Sequence, residues 1–212
     1  MKSYVPAFIL LAVLPLSLSG CGATAVQSPA VIQPGAPGQS SQVLTSGAAP
    51  PPAATAADVK FMQGMIHHHA QALDMTELLT QRSGDPDMKK LGLRIQVSQT
   101  DEIKMMQHWL EARGQDVPGR HAHHMPGAVP MPGMLTGDEM TQLAAANGPQ
   151  FDRLFLEGMI KHHGGALVMV QELFSTPGAG QQSEIFAFAS DVEADQKMEI
   201  ERMGAMLKER MK

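Results

Sequence analysis

The chain has 212 residues, a formal charge of −5, a single cysteine, and 17 methionines against only 4% aromatic residues. Its charges are scattered and form no basic stripe, so nothing supports nucleic-acid binding. One thiol cannot close an internal disulfide, so a metal held by the folded part draws mainly on His, Met, carboxylate or backbone ligands.

Residues 1–20 read as a signal peptide. Lys2 gives a weak basic start, and Phe8 to Leu18 form an apolar run too short, and too broken by Pro15, for a membrane span. Leu18-Ser19-Gly20-Cys21 resembles the lipobox of bacterial lipoproteins. That resemblance implies cleavage before Cys21 and acylation of its thiol and new amino group, making the membrane a partner through a stable lipid anchor. The mature domain would then carry no free thiol. Residues 21–57, rich in Pro, Ala, Ser, Gly and Gln, read as a flexible tether. Residues 58–212 are long enough for one core.

From residue 58 onward the periodicity is helical. Asp58 is the expected N-cap of a first helix running to about Arg82, broken by Ser83-Gly84-Asp85-Pro86. A second helix is expected from about Asp87 to Arg113, stopping at Gly114. Residues 116–148 begin as a loop, and Thr136-Gly137-Asp138-Glu139 then forms a capping box for a short helix to about Ala146. Two further helices are expected, from near Pro149 to about Ser175 and from about Gln182 to Met211.

The chain contains an internal repeat. Gly64-Met65-Ile66-His67-His68-His69 returns as Gly158-Met159-Ile160-Lys161-His162-His163. Phe61, Ala72, Leu73, Met75 and Leu79 match Phe155, Ala166, Leu167, Met169 and Leu173 at the same offset. The second helices match too, with Gln99, Glu102, Ile103, Met106 and Leu110 answering to Gln196, Glu199, Ile200, Met203 and Leu207. Two hairpins, residues 58–115 and 149–212, each with one apolar face to hide, predict an all-α four-helix bundle.

At about 100° per residue, His69 falls in the middle of the apolar face of the first helix. His68 lies at its edge beside Met75, and His67 points outward. In the second copy His163 is central, His162 lies at the edge with Met169, and the outward position is Lys161. Adjacent histidines diverge too far to chelate one ion, so the better partners are Met65 and Met159, one turn away. Met106 and Met203 project inward from the other helices, while Gln99, Glu102, Gln196 and Glu199 lie near the seam, placed to accept a second ring N–H. A second ligand set is the loop, with His121, His123, His124, Met125, Met131 and Met134.

Thioether and imidazole together favour copper, above all Cu(I), with silver as a mimic. Thioethers need no deprotonation, which suits a thiol-free domain outside the cytoplasm. A carboxylate-bridged di-iron bundle needs Glu-x-x-His, which the chain lacks, and there is no His-Glu-x-x-His zinc-protease motif.

The segments Phe61–Leu79, Gln99–Leu110 and Met131-Pro132-Gly133-Met134-Leu135 through Phe151–His163 resemble the bacterial domain-of-unknown-function family 305 over essentially all of residues 58–212. The resemblance implies a ferritin-like fold, export, and copper binding linked to copper resistance in some members, with Met65, His68, His69, Met159, His162 and His163 as candidate ligands. Gly164-Gly165 departs from the Ala70-Gln71 of the first copy, by permitting close backbone approach or by loosening that turn. The expected function is extracytoplasmic, lipid-anchored binding of Cu(I) or Ag(I) for sequestration or transfer, with no delivery protein identifiable. An envelope interaction module without metal and a metal-dependent redox enzyme stand as alternatives.

Overall fold

The computed structural model describes residues 31–33, 42–44, 53–119 and 131–210. The expected signal peptide, Cys21 and the candidate loop ligands His121, His123, His124 and Met125 lie outside the described residues. Two units separate, residues 1–50 and 51–212. In the first, β1 (Val31–Gln33) and β2 (Gln42–Leu44) pair antiparallel, with Ile32 opposite Val43. The tether reading did not anticipate this ladder, whose Val and Ile residues are good strand formers.

The second unit contains α1 (Ala56–Arg82), α2 (Pro86–Glu111), α3 (Gly137–Ala145), α4 (Gly148–Ser175) and α5 (Ser183–Arg210). The four long helices form the bundle, and α3 lies against α4. No helix among the described residues is long and apolar enough to cross a membrane.

The N-cap of α1 is Thr55 rather than Asp58. Asp58 stands at the third helical position, where Oδ2 accepts from the Thr55 backbone N–H at 2.8 Å and Thr55 Oγ1 accepts from the Asp58 N–H at 3.1 Å. Its other oxygen accepts from the Gly180 N–H at 2.7 Å, pinning the α4–α5 turn to the start of α1. Asp85 caps α2 ahead of Pro86, and Thr136 with Glu139 closes the expected capping box of α3.

Each long helix reads apolar, polar, apolar along its buried face, and the antiparallel packing brings these zones into register. One apolar cluster joins Phe61, Met62, Met65 and Ile66 of α1 to Met106 and Trp109 of α2, Met169 of α4 and Phe188 of α5. The other joins Met75 and Leu79 of α1 to Leu91 and Ile95 of α2, Phe155 and Met159 of α4 and Met203 of α5. Between them runs a buried polar belt of His68, His69, Gln71, Gln99, His162, His163, Gln196 and Glu199. Helix α1 packs closely on α4, while α2 and α5 stand further apart. Long side chains span that gap, with Arg94 at 3.5 Å from Glu199, Arg113 at 2.7 Å from Glu184, and Arg210 paired with Asp85.

Residues 131–135 form a strap across the α1–α4 seam. Gly165 makes this possible, because a Cβ there would sit 1.9 Å from the Pro132 carbonyl oxygen. Gly133, at φ +75°, presses equally close, since its own Cβ would lie 2.5 Å from the Lys161 carbonyl oxygen. On the α1 side, the matching residue Gln71 clasps the strap. Its Nε2 donates to the Leu135 carbonyl at 2.9 Å, and its Oε1 accepts from the Leu135 N–H at 2.8 Å. Close backbone approach is therefore the reason for Gly165, whereas Gly164 faces open space. Gly165→Ala is expected to lower the unfolding free energy by roughly 2–3 kcal/mol through overpacking. Gly164→Ala should raise it by up to about 1 kcal/mol through helix propensity. Urea unfolding of the two variants would expose the error if both shifted alike.

Candidate metal centre

The belt is built from the two His pairs. His69 on α1 meets Glu102 on α2 with Nε2 and Oε2 2.5 Å apart, and His163 on α4 meets Glu199 on α5 at 2.7 Å. His68 and His162 come from α1 and α4 and stack on each other, with ring centroids 3.8 Å apart and planes inclined by 37°. Their Nε2 atoms donate to backbone carbonyls, His68 to Pro132 of the strap at 3.0 Å and His162 to the His68 carbonyl at 2.8 Å. All four rings are fully buried.

Every Nε2 faces an oxygen acceptor, which places the proton on Nε2 and leaves a lone pair on Nδ1. None of the four Nδ1 atoms has a hydrogen-bond partner among the described residues. Both amide atoms of Gln99 and the Oε1 of Gln196 are likewise unpartnered there. Buried polar atoms without partners are few in folded proteins and ask for a ligand, an ion or water. Here they gather in one layer. A ring oriented through one nitrogen, with its other nitrogen bare, is the arrangement by which an outer carboxylate or carbonyl fixes a metal-binding imidazole.

The charges fit neutral rings at the stacked pair. Burial, reinforced by the neighbouring His69, drives His68 down to about 3. Burial, then the neighbouring His68, holds His162 well below its ordinary range. Burial alone would raise Glu102, but the hydrogen bond and proximity of His69, with a further hydrogen bond from Ser98, outweigh it and keep the carboxyl below its usual value. Asp195, raised first by burial and then by Glu102 and Glu199, marks the acidic side of the belt.

The methionines flank the belt by halves. Met65, Met106 and Met169 lie in one apolar cluster, and Met75, Met159 and Met203 in the other. Met65 and Met159 stand one helical turn before the His pairs. His67 is half-buried and Lys161 exposed, on the outward faces expected for them. Met131 and Met134 belong to the docked strap, and Met131 packs against the first cluster. Among the described residues, no three His, Cys, Asp or Glu side chains converge to hold a metal ion. Among the described residues no site of nitrogen and carboxylate alone, as zinc prefers, is built in the belt, where Glu102 and Glu199 are engaged on Nε2. A donor set of imidazole nitrogen and thioether sulfur is characteristic of a soft ion.

The sequence reading did not foresee the stacking of His68 on His162 or the two backbone carbonyls that orient them. Backbone acceptors carry no residue-type signal. The pairing of Gly165 with a strap was the one available hint.

Because His68 and His162 stay neutral in the native state, the unfolded chain binds more protons below the ordinary value of 6.5. Stability therefore falls as pH drops from about 6.5, by about 1.4 kcal/mol per pH unit for each such ring. For His68 the loss continues toward about 3, whereas Glu102 contributes only below its ordinary 4.5. Urea midpoints of the metal-free chain should decline between pH 6.5 and 5, and His68→Gln/His162→Gln should flatten that slope. An unchanged slope would mean the rings titrate normally.

Comparison with known proteins completes the picture. A DUF305 fragment from Deinococcus radiodurans is 31% identical, covers 74% of this chain and 99% of its own, and superposes with a TM-score of 0.64. A DUF305 protein of Streptomyces coelicolor, named as a candidate secreted protein, is 28% identical over 73% of this chain and 93% of its own, also at 0.64. CopM in the Cu(I)-bound form is 29% identical over 72% and 96%, at 0.57, and it has also been solved with Cu(II) and with Ag. An uncharacterized mimivirus protein, L153, is 38% identical over 56 residues, and the match spans 37% of that curated relative's length. The sequence profile described as "Domain of unknown function (DUF305)" matches residues 58–207, and the chain belongs to that family.

Proposed function

We propose that this protein binds Cu(I), or Ag(I) in its place, in the polar belt of the bundle and holds or passes on the ion outside the cytoplasm. The observation that carries this reading is the gathering of four unpartnered Nδ1 atoms in one buried layer between two methionine-bearing clusters. His68, His69, His162 and His163 would supply imidazole nitrogen. Met65 and Met106 on one side and Met75, Met159 and Met203 on the other would supply thioether sulfur. Copper and silver bound to CopM, a family relative of the same fold, support the choice of metal. His121, His123, His124, Met125 and Met134 are a second, outer ligand set under this proposal. Residues 1–20 act as a signal peptide and Cys21 carries the lipid that tethers the bundle to a bacterial membrane.

Neutral imidazole and thioether together make a site that needs little proton release, so its affinity should hold in mildly acidic surroundings. The test is a Cu(I) competition titration on the chain carrying Cys21→Ser, so that no thiol competes. Wild-type ligands should bind tightly, and His68→Ala/His69→Ala/His162→Ala/His163→Ala should weaken binding at least about tenfold, a loss of about 1.4 kcal/mol. Saturating Cu(I), at about 100 times Kd, should raise native stability by about 2.7 kcal/mol. Should the wild-type chain neither compete for Cu(I) nor gain stability from it, an envelope module without metal would be the better description.

A further inference from the structure

The pseudo-symmetry of the two repeats breaks at the surface, and it breaks in the donor atoms. Gly64 and Gly158 are equivalent positions on α1 and α4, each one residue before the methionine that leads to a His pair. A Cβ on Gly64 would lie 3.3 Å from the Met169 methyl and 3.6 Å from the Met131 sulfur. A Cβ on Gly158 would lie 3.3 Å from the methyl of Met75, the counterpart of Met169, but there the strap contributes Leu135 at 3.1 Å. One surface is thus capped by two thioethers, the other by a thioether and a hydrocarbon.

The two surfaces also differ in size. Over Gly64 lies a cleft of about 750 Å³, lined among others by Phe61, Gly64, Met131, Pro132, Met169 and Leu173. Over Gly158 the space is about 220 Å³ and is lined by Leu135 and α3, where Glu139 is bound to Lys161 at 2.7 Å. Met131 is half-buried, whereas Leu135 is buried. The strap also ties the larger cleft to the belt, because the residue after Met131 is Pro132, whose carbonyl accepts from His68 Nε2.

We propose that the cleft over Gly64, with the thioethers of Met131 and Met169, is the port through which a soft monovalent metal ion enters and leaves the belt, the smaller opposite surface offering Leu135 in place of the second thioether. The inference rests on the belt being a Cu(I) or Ag(I) site. Thioethers suit such a port: they bind soft ions without losing a proton, so the ion can be exchanged from sulfur to imidazole by ligand substitution with no redox step.

The experiment uses the full chain carrying Cys21→Ser, labelled with ¹³C at the methionine methyls, with Ag(I) as the diamagnetic probe. The Met131 and Met169 methyl signals should shift on titration. Met131→Leu/Met169→Leu, which nearly conserves volume, should keep its urea midpoint and hold Ag(I) with affinity within about threefold, while loading and chelator extraction both slow by at least about tenfold. If Ag(I) binds in a His-dependent way but the double variant exchanges at the wild-type rate, the port is wrong and the belt site stands. A large loss of affinity in the double variant would make these methionines resident ligands and also overturn the port. Absence of any bound Ag(I) in the wild-type chain would remove the belt site itself.

Discussion

Four imidazoles sit in the middle of a bundle packed on either side with aliphatic, aromatic and thioether side chains, and each is held through Nε2 by an oxygen. That set of hydrogen bonds is the constraint on which the rest of the architecture depends. A buried polar atom left without a partner costs about 1–3 kcal/mol, so a layer with several of them must be offset by the packing around it. The two apolar clusters supply that packing, one on each side of the layer. Methionine is well suited to the edges of such a layer, because its unbranched chain fills irregular gaps while keeping a polarizable sulfur beside the polar zone.

Duplication explains why the layer exists twice over, and the strap explains why the halves are no longer equivalent. Glu102 and Glu199 hold His69 and His163 in the same way. The stacked rings have diverged: His162 leans on the backbone of α1, whereas His68 is held by the strap. Gln71 and Gly165 occupy matching positions with opposite means to one end, an amide clasp on one side and the absence of a side chain on the other. A single inserted segment therefore orients one ring, sets Leu135 on one surface and sets Met131 on the other.

Much of this was legible in the sequence because helices repeat every 3.6 residues and the repeat supplied the pattern twice. The four long helices, the short capped helix, the inward His68, His69, His162 and His163, and the outward Lys161 all followed from periodicity and breakers. The α1 cap was misplaced by three residues because Thr55 and Asp58 form a reciprocal pair in which either residue type can be the cap. The carboxylate partners were readable from position, since Glu102 and Glu199 lie on faces turned toward the His helices. What could not be read was any contact made by backbone, namely the Pro132 and His68 carbonyls and the strap against Gly165. Periodicity reports which face of a helix is buried, not which neighbouring chain segment lies on it.

The unpartnered atoms give a reason for the otherwise uneconomical core. A bundle of this length could bury leucine throughout and be more stable, as replacement of buried polar groups by apolar ones often shows. Keeping unpartnered imidazole and amide atoms in the middle is unfavourable in itself and is offset in a state where their lone pairs are engaged. A ligand that engages them adds its binding free energy to the native state alone, so the cost of the unpartnered layer becomes part of the coupling between ligand binding and stability. Under the proposed reading, the stacked His68 and His162 rings would be the place where that coupling is strongest. They join the two repeats to each other and, through Pro132, to the strap. Any ion that draws on their Nδ1 atoms must act on both hairpins at once.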